Sequence, residues 1–265
     1  MTGGRSPLRA LPIALWLPTL AAATLLGVPL VAIVTRAPWP TLAHDLTTPE
    51  VLTALRLSLV CSVLATTVSV LLGLPLAWLL ARVEFAGRRL LRALVMLPMV
   101  LPPVVGGVAL LLAFGRRGLV GAWLDRYLDI QLPFSLAGAV LAETFVAMPF
   151  LVMAAEAGFR QVDRGLEDAA ATLGAGRMRV FARVTLPLAM PALAAGAALC
   201  WARALGEFGA TITFAGNLPG RTQTLPLAVY IALETQPEIA FALSLVLLAV
   251  AIAVLVSLRE HWPAR

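Results

Sequence analysis

The sequence contains no lysine; all 20 of its basic residues are arginine. Charge of either sign is scarce, at 13% of residues, and there are two cysteines and two histidines in 265 positions. Each scarcity excludes something. Cys61 and Cys200 stand far apart inside apolar runs, with no CxxC or Cys/His spacing, and so read as small core residues rather than a metal knuckle or redox pair. His44 and His261 are isolated, which leaves a histidine-based metal site without ligands. No G-x4-G-K-[ST] stretch occurs, so the chain cannot cradle ATP phosphates in the P-loop manner. H-E-x-x-H and G-x-S-x-G are missing as well. No second acid is placed to form a catalytic dyad with Glu143 or Glu207, and an intramembrane enzyme is a poor reading. The arginines are scattered between apolar runs, which argues against nucleic acid as a partner.

What abounds is apolar surface: 60% of residues are hydrophobic, mean hydropathy is +0.93 and net charge is +6. An ordinary soluble domain is about 45–50% apolar. The reading is an all-α integral membrane protein surrounded by lipid, with six segments of about 20 residues or more, enough to cross a hydrocarbon core of about 30 Å. A basic tail, 1–9, precedes the first span, 10–35. That span exceeds the apolar core of about 7–15 residues found in a signal peptide, so it is expected to be retained. The second runs between Arg56 and Arg82, striped by Ser58, Ser62, Thr66, Thr67 and Ser69. Such a stripe favours close helix packing, with the wall of a polar pathway as the alternative.

The third span, Ala93 to Gly115, holds L-P-M-V-L-P-P-V-V-G-G. Its prolines and glycines predict a broken helix that lines a cavity or is buried in protein. Gly115 to Pro133 reads as an exterior loop with a short amphipathic piece around Trp123 to Leu128. The fourth span, Phe134 to Phe159, carries Glu143 near its start, expected to be partly exposed at the outer interface. In the fifth, Leu188 to Ala210, Arg203 and Glu207 are four apart on one helix face and can pair. They form either a helix-end salt bridge near the outer surface or part of a gate. Gly209 to Glu238 reads as a loop rich in Thr, Gly and Pro, a candidate for dipping back into the bilayer. Ile239 to Leu258 is the sixth span, before a tail at 259–265.

Orientation follows from the arginines. With the N-terminus inside, Arg5, Arg9, Arg82, Arg88, Arg89, Arg92, Arg160, Arg164, Arg177, Arg179, Arg183, Arg259 and Arg265 fall on the inner side. Arg36, Arg116, Arg117, Arg126 and Arg221 fall outside. The positive-inside rule then places both termini, and the long polar stretch from Val162 to Pro191, in the cytoplasm.

That stretch begins with a predicted short helix. Asp163, Glu167 and Asp168 sit in its first turns, where the helix dipole favours carboxylates. Leu166, Ala169, Ala170 and Leu173 recur at three- and four-residue steps and make one face small and apolar. Gly174 can take the left-handed conformation that ends a helix, and Val180, Phe181 and Val184 lead on to Leu186-Pro187. The residues alone allow a solvated surface helix or a docking helix.

The order Asp168-Ala169-Ala170, three residues, Gly174, nine residues, Val184, one residue, Leu186-Pro187 resembles the EAA loop of ABC-importer membrane subunits, E-A-A-x3-G-x9-I-x-L-P. Asp168 stands for Glu and Val184 for Ile. Ala202 to Tyr230, Leu97 to Gly107 and Gly115 to Gly121 are similar to the molybdate members of that family, and sulfate permeases share a related G-E-[FY]-G segment. The similarity covers about Glu50 to Glu234, leaving the first span outside.

The resemblance implies a type I ABC importer permease with six transmembrane helices, whose core runs over 50–258. Its coupling helix, within 162–187, would fit a groove on an ATPase through Asp163, Leu166, Glu167, Asp168, Ala169, Ala170, Leu173 and Gly174. It further implies a second copy of the chain, two cytoplasmic ATPase subunits holding ATP and Mg, and no cofactor in this chain. A periplasmic or lipid-anchored binding protein would deliver molybdate, with tungstate, sulfate or thiosulfate as alternatives, at a bacterial cytoplasmic (inner) membrane. A doubly charged oxyanion has a large desolvation cost, so a pathway should offer hydroxyls, backbone N–H groups and helix N-termini. Pro102, Gly106, Arg203, Glu207, Thr211, Thr213 and Asn217 are the pathway or gate candidates. A reading from another class is a non-transporting membrane anchor that docks a cytoplasmic protein.

Overall fold

A computed structural model describes residues 13–259. The expected tail at 1–9, the first residues of the first span and positions 260–265 of the C-terminal tail lie outside the described residues. Every regular element among the described residues is helical. In order they are α1 (Ile13–Arg36), α2 (Leu42–Leu46), α3 (Pro49–Arg82), α4 (Arg88–Val100), α5 (Pro103–Phe114), α6 (Gly121–Leu128), α7 (Leu136–Gln161), α8 (Arg164–Thr172) and α9 (Arg177–Val180). A π-helical turn, Phe181–Thr185, then leads into α10 (Leu186–Leu205), α11 (Gly209–Ala215), α12 (Leu225–Thr235) and α13 (Pro237–Arg259).

Five helical runs are long and apolar enough to cross a membrane: α1, α3, α7, the run ending in α10, and α13. α4 and α5 together are also long and apolar enough, but the pair is bent by 119° at Leu101-Pro102, the geometry of a broken span or of a re-entrant hairpin. Alone, each half reaches about 20 Å at 1.5 Å per residue and falls short of the hydrocarbon core. The second span starts seven residues before the charge boundary at Arg56. The signal that begins α3 is Pro49 in its first turn after extended Thr48, because proline's fixed φ and missing N–H suit that position. An arginine within a helix interrupts nothing.

α7 is the central helix, packed between α3 and α10. One core joins Ala77, Leu80 and Ala81 of α3 to Val152, Ala155 and Phe159 of α7 and to Ala189 and Leu193 of α10. A second joins Ala65, Ala147, Leu151, Cys200 and Ala204. Small residues dominate because lipid supplies no hydrophobic drive between helices, so close backbone approach has to. The hydroxyl stripe of α3 serves packing: Ser62 Oγ accepts from Trp201 Nε1 at 3.0 Å, and Ser58 Oγ accepts from the Leu225 N–H at 2.6 Å. Both cysteines are buried and free.

The stretch 209–238 is not a loop. It folds as α11 and α12, with its turn-forming residues at the ends: Gly216 (φ 74°) closes α11 and Pro226 opens α12. Reading composition without position concealed both helices. The amphipathic piece expected in the loop after the third span is α6, within one turn of the expected bounds.

Candidate functional site

Two regions gather the residues singled out from the sequence. The first is α8 and its surroundings. Asp163 caps the helix, its Oδ1 accepting from the Gly165 N–H at 2.9 Å. At the other end the Ala175 N–H bonds the Ala170 carbonyl and the Gly174 N–H bonds that of Ala171, with Gly174 at φ 85°. This double closure requires the left-handed residue glycine supplies. Between the caps α8 buries nothing. Leu166 is exposed and Leu173 is 89% exposed, with Ala169 exposed on the same face.

Glu167 points the other way. Its Oε1 accepts from Arg82 Nη2 at 3.0 Å and from Thr185 Oγ1 at 2.6 Å, and Arg82 Nη2 also donates to the Val162 carbonyl at 2.9 Å. Arg82, Glu167 and Thr185 border a cleft of about 440 Å³ that Trp78, Arg164 and Phe181 help to line. Phe181, in the π-helical turn, packs edge-on against Trp78 of α3 and against Phe159 of α7. Nearby, Arg88 Nε closes the end of α3 by donating to the Leu80 carbonyl, and Arg92 and Arg160 both bond Glu156, which ties α4 to α7.

The second region is the crossing of α5 and α11 on α7. Gly107 lies so close to α11 that a Cβ there would sit 2.5 Å from Thr213 Cβ and 3.0 Å from the Ala210 carbonyl oxygen. Gly209 meets Pro103 in the same way, and Gly106 faces the Phe145 ring. Thr213 Oγ1 bonds back to the Gly209 carbonyl at 2.8 Å. Thr211 is buried with an unpaired hydroxyl, and the buried Asn217 Oδ1 is likewise unpaired among the described residues. Pro102, at the bend, is exposed.

Arg203 and Glu207 pair at 2.5 Å, with side chains 28% and 1% exposed. Glu207 Oε1 also accepts from the Ala210 N–H at 2.9 Å and so caps α11. The pair is largely buried and belongs to the interior. Glu143 corrects an expectation: at 1% exposure it is not at an interface but buried inside the bundle, within electrostatic reach of Cys61 of α3 and of Glu207.

The family model for the binding-protein-dependent transport system inner membrane component matches residues 69–261. The chain belongs to that family. It is 47% identical over 253 residues to the molybdenum transport system permease protein of Mycobacterium bovis, covering 96% of each chain. It is 46% identical over 220 residues to the corresponding protein of Escherichia coli K12, covering 83% of this chain and 96% of the other. Its fold is similar to that in a crystal structure of a bacterial alginate ABC transporter in complex with an alginate pentasaccharide-bound periplasmic protein. There the TM-score is 0.74 at 18% identity, covering 92% of this chain and 91% of that one.

The fold is therefore that of an ABC importer permease, a multi-pass transport subunit of the inner membrane. Residues 69–261, matched by the family model, contain both regions and leave α1, α2 and the first part of α3 outside. Sequence reasoning missed Arg82 and Thr185 as partners of Glu167, since they lie 85 and 18 residues from it. It also missed Gly107 and Gly209 as the points where α5 meets α11, although the Gly106-Gly107 pair was visible.

Proposed function

We propose that this chain is the membrane-spanning subunit of an ATP-driven importer of molybdate, working by alternating access. The observation that carries the reading is α8: a helix capped at both ends, burying nothing, with Leu166, Ala169 and Leu173 presented outward. Such a surface suits insertion into a groove on a cytoplasmic ATPase. ATP and Mg belong to that partner. Two such ATPase subunits, a second copy of this chain and a periplasmic or lipid-anchored binding protein complete the assembly, with both termini in the cytoplasm. Closure of the ATPases displaces α8 and swings the spans, exposing the pathway to one side and then the other.

Molybdate as the cargo is supported by the two permease relatives and by chemistry. A tetrahedral dianion needs donors along its way; the α5 and α11 layer offers the Thr211 hydroxyl and the N-terminal N–H groups of α5, and the last turn of α10 adds the Arg203 guanidinium. Thr213 and Asn217 line the same layer; Pro102 and Gly106 shape it, and Glu207 holds Arg203 in place.

The test is purification in mild detergent followed by reconstitution. A Walker-motif subunit should accompany the chain, and vesicles supplied with ATP and binding protein should accumulate radiolabelled molybdate, with tungstate and sulfate as competitors. ATPase association without any oxyanion accumulation would favour the docking-anchor reading. Gly174→Leu should hydrolyse ATP while failing to accumulate anion, and normal uptake by that variant would count against coupling through α8.

A further inference from the structure

Among the residues assigned to the coupling helix, Glu167 differs in direction. It lies on the inner side of α8, 21% exposed, opposite an Arg82 side chain that is 9% exposed. Three parts of the bundle meet at its one oxygen and the guanidinium that holds it. Arg82 is the last residue of α3, Val162 is the joint between α7 and α8, and Thr185 is the last residue of the π-helical turn before α10.

Thr185 is also unlike other helical threonines here. Thr66, Thr67, Thr144, Thr213 and Thr235 bond back to the carbonyl four residues earlier, whereas the Thr185 hydroxyl is spent on Glu167. Since α8 buries no side chain and its exit runs through Gly174 and Gly176, where a Cβ would meet nothing within 4 Å, the helix has little else to fasten it.

We propose that Glu167 is a positioning residue which transmits the displacement of α8 to α3 and α10, and that it makes no contact with the ATPase. This rests on the docking reading above. The outward residues Leu166, Ala169 and Leu173 take the partner, and Glu167 with Arg82 and Thr185 makes α8 move as one body with the spans. A partly buried, hydrogen-bonded ion pair suits this task better than an exposed one, because water and salt screen it less.

The test uses the full assembly in vesicles, with molybdate uptake and ATP hydrolysis measured together. Glu167→Ala should keep the ATPase subunit bound at the wild-type level and keep hydrolysing ATP, while the uptake-to-hydrolysis ratio falls at least about fivefold. Arg82→Ala should do the same, and the double variant should be no worse than either single one, since all three remove one shared contact. Thr185→Val and Glu167→Gln keep the volume and should show the same direction at smaller size; they decide the matter if the alanine variant does not reach the membrane. A merely structural role would lower uptake and hydrolysis in proportion and leave the ratio alone. The proposal is overturned if the ratio stays at the wild-type value, or if Glu167→Ala sheds the ATPase as an outward-face variant does. Failure of the wild-type chain to retain any ATPase would instead bring down the docking reading itself, and this one with it.

Discussion

The crossing of α5 with α11 and the protruding α8 use the same few residue types for opposite ends. At the crossing, Gly107 and Gly209 are needed because there is no room: neighbouring atoms stand within 3.0 Å of where a side chain would begin. At α8, Gly174 has nothing within 4 Å and is needed only for its backbone angle. Apolar residues divide likewise. Leu110, Ala210 and Phe214 are buried at the crossing, while Leu166 and Leu173 stand in the open. One region is a closed contact that holds the bundle together; the other, on the function proposed above, is half of an interface. A change at the first should therefore register as lost stability, and a change at the second as lost partnership with stability intact.

The largest effect is expected at the crossing. Gly107→Leu forces α5 away from the Ala210 backbone and should cost about 3 kcal/mol, seen as a marked fall in unfolding temperature in detergent. Glu207→Ala comes next. It strands Arg203 and removes the acceptor for the Ala210 N–H, and breaking a buried pair costs about 3–5 kcal/mol. Because Arg203 can still reach some water, about 2 kcal/mol is the expected loss in the same measurement.

Leu173→Asp should leave the unfolding temperature within the scatter of a surface change, about 0.5 kcal/mol, yet reduce co-purification of the ATPase about tenfold. If it destabilises the chain as much as Gly107→Leu, the distinction between the two regions fails. The smallest effect lies in neither region and serves as a control. Asp125 accepts from Gln131 at 2.8 Å and from Arg116 at 3.0 Å, and these bonds hold its carboxyl below the usual range. A lowered pKa gives stability that is full above the unfolded carboxylate value near about 4 and fades as pH falls through the folded one. Asp125→Asn should therefore lower the unfolding temperature slightly at neutral pH, and titration to acid should close the gap.

How much of this was legible beforehand varies with the range of the signal. The ends of α8 were readable because caps are local: Asp163, Gly174 and the spacing between them suffice. The broken third span was readable for the same reason, through Pro98, Pro102 and Pro103. Partners were not. Nothing near Glu167 in the chain announces Arg82, and nothing near Glu143 says that the bundle will cover it and bring Glu207 within electrostatic reach, so an acid close to a span boundary reads as interfacial although it is buried. The stretch 209–238 failed differently. Its Thr, Gly and Pro content resembles a loop when summed, and only the placement of Gly216 and Pro226 at helix ends reveals two elements.

The bend between α4 and α5 carries a debt of its own. Prolines at 102 and 103 have no N–H, so the carbonyls of Pro98 and Met99 lack the donors that a continuous helix would have given them four residues on. Hydrocarbon cannot replace those donors, and each unmet oxygen would cost several kcal/mol in lipid. Wherever this elbow sits at membrane depth, water or another polypeptide has to be within reach of it, and acyl chains have to be kept away.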